Sequence, residues 1–183
     1  MRDIRATAAV EFALILPILA MLIIGTIEVS MIFFVTHIME SAAFSASRTG
    51  KTGYVQSGMT REATIMAAIT QRAGPFIDIS KVVMDTKTYT SFSQIGQPEP
   101  FIDADGNGQW DEGENYTDVN HNDQYDLDRG TEGTGSAGDI VVYTISYPWK
   151  LFTPMMGDLM GHDGTFTVSS RIVVKNEPYA AGP

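Results

Sequence analysis

From Phe12 to Ile27 no residue is charged, and beyond Glu28 the apolar run resumes through Val35. As a helix these 24 residues reach about 36 Å at ~1.5 Å per residue, enough to cross a bilayer core of ~30 Å. Pro17 falls in the first turns, where a kink is tolerated. The run is longer than the apolar region of a secretory signal peptide and has no clear A-x-A cleavage site after it. Past Val35 helical spacing continues through Ile38, Ala42, Ala43 and Ala46, with Gly50 as its stop. Thr60 is placed to cap a second helix over 61–74, whose apolar stripe is Ile65, Met66, Ile69 and Ala73.

Three segments rich in β-branched and aromatic residues read as strands: 81–92, 140–149 and 166–176. In the middle one, Val141, Tyr143, Ile145 and Tyr147 alternate with Val142, Thr144 and Ser146. Residues 151–164 form a Met-rich short helix or turn. The predicted class is α+β: a small antiparallel sheet packed on helices, with the membrane helix projecting as a stalk.

Charge changes this picture in one place. Of 22 acids and 12 bases, residues 99–132 hold eleven acids and a single base, Arg129, so the net charge of −10 resides there. A field so concentrated attracts cations, and with no clustered Lys/Arg face nucleic-acid binding is set aside. Arg2 and Arg5 before the apolar run, and acidic sequence after it, place the N-terminus in the cytoplasm and everything past about residue 36 outside. The chain has no cysteine, which excludes disulfides, Cys-ligated zinc and a thiol nucleophile. A small exported domain then needs another staple, and bound metal is one option.

The acidic segment offers the ligands. Residues 103–114, DADGNGQWDEGE, fit the EF-hand loop template position by position. Asp103, Asp105 and Asn107 take the first, third and fifth places, and Gly108 the sixth, where the chain turns sharply. Gln109 offers its carbonyl at the seventh, Asp111 stands at the ninth and Glu114 is the bidentate twelfth. The unit repeats after fifteen residues: E99-P-F-I-D103-A-D-G-N-G-Q-W-D111 aligns with E114-N-Y-T-D118-V-N-H-N-D-Q-Y-D126. The second copy supplies Asp118, Asn120, Asn122, Gln124 and Asp126, but Asp123 replaces the glycine and Arg129 stands where the closing Glu belongs. Its missing carboxylate is expected from elsewhere, Asp128 or Glu132, or else the second copy binds weakly. A chain of oxygens at this spacing suits one calcium ion in the first copy and a second in the other, with magnesium the weaker candidate. Prolines 98 and 100 before the loops and glycines 130, 133 and 135 after them leave no flanking amphipathic helices. The pair therefore resembles compact calcium repeats of exported bacterial proteins, and reads as a staple rather than a calcium-sensing switch or a disordered linker.

Glu11 sets an acid against the start of the apolar run, costly at membrane depth unless paired. The segment around it, RATAAVEFALILP, resembles the N-terminus of type IV pilin-like proteins, more narrowly the TadE-like pseudopilins of the Tad (Flp) pilus system. In that family a prepilin peptidase cuts before the helix and leaves Glu as the fifth mature residue. The resemblance places the cut between Ala6 and Thr7, with Ala6 where the family usually has Gly, and the freed amine then pairs with Glu11 of a neighbour. Glu28, in IGTIEVS, matches the family's late helical acid, and on position alone sits near the outer membrane face. Residues Tyr147, Pro148, Pro154, Asn176, Glu177 and Pro178 extend the resemblance, which covers 2–48 and 140–179.

The resulting organisation is a leader-like segment at 1–6, a transmembrane and stalk helix at 7–50, a helix and first strand at 51–98, the calcium double loop at 99–132, and the remaining sheet at 133–183. Three scattered histidines, His37, His121 and His162, and no nucleophile elbow, phosphate loop or HExxH motif give no enzyme. The resemblance implies a single-pass inner-membrane minor pilin with its C-terminal domain periplasmic or extracellular. Its partners would be other pilin subunits, the Tad assembly machinery and the prepilin peptidase. The competing reading is a membrane-tethered calcium-binding module that never enters a filament, and a hydrolase hidden in the loops is the third.

Overall fold

The computed structural model describes residues 4–153, 156–158 and 163–178, with side chains from Ala8 onward. One helix, α1, runs unbroken from Ile4 to Lys51 through Pro17. Its two halves face different surroundings. Between Ala8 and Ile27 every residue is exposed except the half-covered Ala20 and Gly25. From Glu28 upward one stripe disappears into the domain: Ile32, Val35, Met39, Ala42, Ala43 and Ala46. Small residues at 42, 43 and 46 let α2 (Arg61–Ala73) lie close against α1. Helix α2 starts where expected, the Thr60 side chain accepting from the Ala63 N–H at 3.1 Å. It buries Ile65, Ile69 and Ala73 and leaves Met66 partly covered.

The four strands are β1 (Val83–Tyr89), β2 (Thr131–Glu132), β3 (Ile140–Lys150) and β4 (Thr165–Lys175), all antiparallel in the order β2-β1-β3-β4. The alternation along β3 works as predicted, with Val141, Tyr143, Ile145 and Tyr147 on the helix face. At its upper end the opposite face is buried too: Ile140 and Val142 pack with Tyr89 and the partly covered Ile95. The short β2 carries no hydrophobic pattern, being Thr-Glu alone, and was invisible to periodicity. It forms because Gly133 N–H donates to Thr86 O (3.0 Å) and Thr88 Oγ1 to Gly133 O (2.8 Å). In the β3–β4 connection residues 156–158 are helical, while Pro154 and His162 lie outside the described residues.

Two close approaches need glycine. A Cβ on Gly50 would stand 2.0 Å from the Tyr143 hydroxyl, and one on Gly130 would stand 2.6 Å from the Tyr89 ring. Gly50 thus lets β3 reach the top of α1, but the helix runs one residue past it, to Lys51.

At the lower end Glu28 is enclosed by the domain. It is 1% exposed and accepts hydrogen bonds from the Phe152 N–H, the Thr153 N–H (3.3 Å) and the Thr153 hydroxyl (2.5 Å). A buried carboxylate needs such donors, and the β3–β4 connection supplies them, so the acid fastens sheet to helix. Glu28→Ala should leave the domain folded but speed hydrogen exchange at the amides of 152 and 153, measured against those of β3. Ile69→Ala, by contrast, removes a fully buried side chain and should cost about 2–5 kcal/mol in a denaturation curve.

Candidate metal centre and assembly helix

The double loop builds each half around one aspartate. Asp103 accepts from the N–H groups of Gly106 (2.7 Å), Asn107 (3.2 Å) and Gly108 (2.9 Å). Asp118 repeats this with His121 (2.6 Å), Asn122 (3.2 Å) and Asp123 (2.9 Å). Bonds to Gly108 above all hold the Asp103 carboxyl below the usual range, against the opposing effect of burial. For Asp118 the Asp123 N–H does the same against burial. Such wrapping turns the chain through left-handed conformations at Gly106 and Gly108 (φ 77° and 78°). The second loop adopts them with His121 and Asp123 (φ 63° and 59°), which tolerate the region less well than glycine.

The other side chains of each loop gather around its aspartate. Carboxylate oxygens of Asp103, Asp105 and Glu114 lie within 4.8 Å of one another. The Asn107 amide nitrogen donates to Asp105 (3.0 Å) and Asp111 (2.6 Å), so an electropositive group sits between the two acids. In the second loop the amides of Asn120 (2.6 Å) and Asn122 (2.7 Å) donate together to Asp126. Gln109 and Gln124 enter through their backbones, each N–H donating to the asparagine two residues before it. His121 contributes only its N–H to this framework.

Glu114 closes the first loop, its two oxygens accepting from the Ala104 N–H (2.7 Å) and the Asp111 N–H (3.0 Å). The second loop is closed by Glu99, not by Asp128 or Glu132. Glu99 accepts from the Val119 N–H (2.6 Å) and the Asp126 N–H (3.2 Å), the same two positions shifted by fifteen residues. Asp128 is engaged elsewhere, by the Tyr89 hydroxyl at 2.8 Å and Lys87 at 3.3 Å. Burial pushes the Tyr89 hydroxyl well above its usual range, and the Asp128 carboxylate adds to the shift. Glu132 is held on β2 opposite Lys87. The geometry is reciprocal: the Glu opening the second unit closes the first loop, and the Glu opening the first unit closes the second.

Local pairing makes this reach possible. Phe101 and Tyr116 form an antiparallel bridge, with Ile102 N–H donating to Asn115 O (2.8 Å) and Thr117 N–H to Pro100 O (2.7 Å). Trp110 stacks on Tyr125 with ring centres 4.5 Å apart, and the edge-on contacts Phe101–Tyr125 and Trp110–Tyr116 are each other's counterparts in the repeat. The base of the insert is pinned by the Glu99 N–H to Asp126 O (2.9 Å) and the Arg129 N–H to Gln97 O (3.0 Å). Arg129, occupying the place of the absent Glu, turns its guanidinium onto Pro98 O, beside the residue that replaces it.

The residues expected to serve processing and assembly lie on α1. Glu11 is exposed on α1 within the apolar stretch. Ala6 and Thr7 lie within the same helix, and their side chains fall outside the described ones. His37 is on the exposed side, 3.3 Å from Glu40.

Because their folded carboxyls titrate low, Asp103 and Asp118 contribute stability above the ordinary aspartate range, which is lost as pH falls through the folded values. Without added metal, Trp110 fluorescence should stay constant down to about pH 4 and change below it. A transition complete above about pH 5 would contradict this wrapping.

Residues 6–48 match the family described as TadE-like protein, and the match lies wholly within α1, the helix that carries Glu11. No curated protein and no solved structure matches the chain.

Proposed function

We propose that the protein is a minor pilin or pseudopilin of a Tad-type pilus, assembling through α1 and carrying an exported domain stapled by calcium. The observation that carries the reading is the TadE-like match over 6–48, on a helix whose apolar surface is bare from Ala8 to Ile27 beneath a folded domain. A helix apolar on all sides needs lipid or the helices of neighbouring subunits around it. Glu11 then meets a freed α-amino group on an adjacent subunit, where charge pairing offsets the cost of placing an acid in the membrane. The role is structural: the chemistry at Ala6–Thr7 belongs to a prepilin peptidase, and the chain itself is read as no enzyme.

Processing tests this. Mass spectrometry of the chain extracted from membranes should find Thr7 first, and the processed chain should co-purify with pilus components. A chain that keeps Met1 and purifies without them would overturn the filament reading in favour of a membrane-tethered calcium module.

For the double loop, the favoured occupants are two calcium ions. Asp103, Asp105, Asn107, Asp111, Glu114 and the Gln109 carbonyl would hold one. Asp118, Asn120, Asn122, Asp126, the Gln124 carbonyl and Glu99 would hold the other. What supports the second is that Glu99 restores the carboxylate its own loop lacks. Binding at about 10⁻⁴–10⁻³ M is expected of an extracellular module. At about one hundred times the dissociation constant each site adds about 2.7 kcal/mol of stability. Calorimetry should give two ions per chain, Glu99→Ala one, and EGTA a lower Tm. A Tm indifferent to EGTA would remove the calcium staple while leaving the pilin reading untouched.

A further inference from the structure

We propose that the folded domain touches the membrane a second time beside α1, through Phe152 at the outer edge of the bilayer core and Met156 against the outer leaflet. The inference rests on the reading of α1 as a membrane span, and adds to it a surface of the folded domain.

The levels along α1 set the depth. From Ala8 to Ile27 is twenty residues, about 30 Å of helix, which matches the thickness of a hydrocarbon core. The outer edge of that core then falls at Glu28, the first buried residue of the helix and the one that binds Phe152 and Thr153. The connection does not stop at this level. Met21, Ile24 and Gly25 of α1 line one apolar groove with Thr153 and Met156. Met21 lies seven residues below Glu28, about 10 Å deeper along the helix. Met156 is itself 8% exposed, so it covers helix surface that would otherwise meet lipid.

At Phe152 the surface is apolar and aromatic, while Asp158 beyond Met156 is exposed. Phe152 is 65% exposed although its backbone is fixed to Glu28, and its ring packs edge-on to Trp149 at 5.9 Å. The Trp149 indole nitrogen is itself buried, and its ring packs against the main core, so the exposed ring at this point is that of Phe152. Glu28 is compatible with such a depth because the Thr153 hydroxyl and two backbone N–H groups satisfy it within the protein. The occupant is therefore lipid of the outer leaflet, since the patch is continuous with the bare surface of the spanning helix.

The absence of native cysteine allows single nitroxide labels on the full chain in vesicles of phosphatidylethanolamine and phosphatidylglycerol. Labels at Ile18→Cys, Phe152→Cys and Leu127→Cys report the helix, the connection and the exposed insert. All three native side chains are exposed, so each variant should fold. Oxygen should relax the label at 152, as at 18, several-fold more than a water-soluble nickel complex does, with the order reversed at 127. A label at 18 in lipid with the label at 152 in water would overturn this inference and keep the spanning helix. Labels at both 18 and 152 in water would remove the membrane reading itself. A label at 152 shielded from both reagents until the protein is diluted in lipid would assign the patch to a second copy, and the proposal would fail.

Discussion

One helix has to satisfy two surroundings, and the rest of the fold follows from where it changes from one to the other. Below Glu28 α1 has no protein partner over most of its surface, so its residues are apolar on every side. Above Glu28 it must be amphipathic, and only the stripe from Ile32 to Ala46 is covered. The carboxylate at the junction would be expensive in either setting alone. It is affordable because the β3–β4 connection folds back and gives it three donors. That contact fixes the height of the sheet on the helix, while the Lys51–Glu177 pair at 3.2 Å and the Glu177 N–H to Lys51 O bond (2.9 Å) fix it at the top. The single β3–β4 hairpin is thus held at both ends of its length.

A hairpin covered on one face by helices leaves another face and an edge unprotected. β1 takes the edge, and β2 adds two residues beyond it, so the acidic insert between them is anchored to the sheet rather than hung from it. Tyr89 shows how close this attachment is. Its ring is buried against Gly130, where a Cβ could not fit, and its hydroxyl reaches Asp128. The same Tyr89 packs with Ile140 and Val142 on the face opposite the helices. A stretch with the composition of a solvated linker therefore forms part of the boundary of a hydrophobic core.

Most of the scaffold was legible because it follows simple periodicities. The strands at 83–89, 140–150 and 165–175 carry β-branched alternation, and α2 has both a Thr cap and an apolar stripe. The short β2 was not legible, since two residues have no period. Nor was the burial of Glu28, because its donors come from a loop more than a hundred residues away whose backbone amides leave no mark in the sequence. Glu99 is the instructive case. The fifteen-residue register already paired it with Glu114, but the EF-hand template looks for the closing acid downstream of its loop, and there Arg129 stands. Reading the register as reciprocal, rather than the template as linear, is what would have found it. The closing partner of the second loop precedes the first, and the Phe101–Tyr116 bridge and the Glu99 N–H to Asp126 O bond hold it there.

Reciprocal closure has a mechanical consequence. In a linear tandem each loop could open alone, whereas here the Glu that closes either loop is covalently part of the other unit. Glu99 leads into Phe101 and the bridge, and Glu114 leads directly to Tyr116 on its other side. Moving one carboxylate therefore disturbs the bridge and the four-ring cluster that both loops share. It also loads the pins at Gln97–Arg129 and Glu99–Asp126, and through Asp128 the Tyr89 anchor on β1. Glu99 is 1% exposed, and its described partners are neutral N–H groups, so the electrostatic cost of that buried charge falls on the whole insert. On the proposed reading, an ion in either loop would also steady the bridge and the ring cluster that the two loops share.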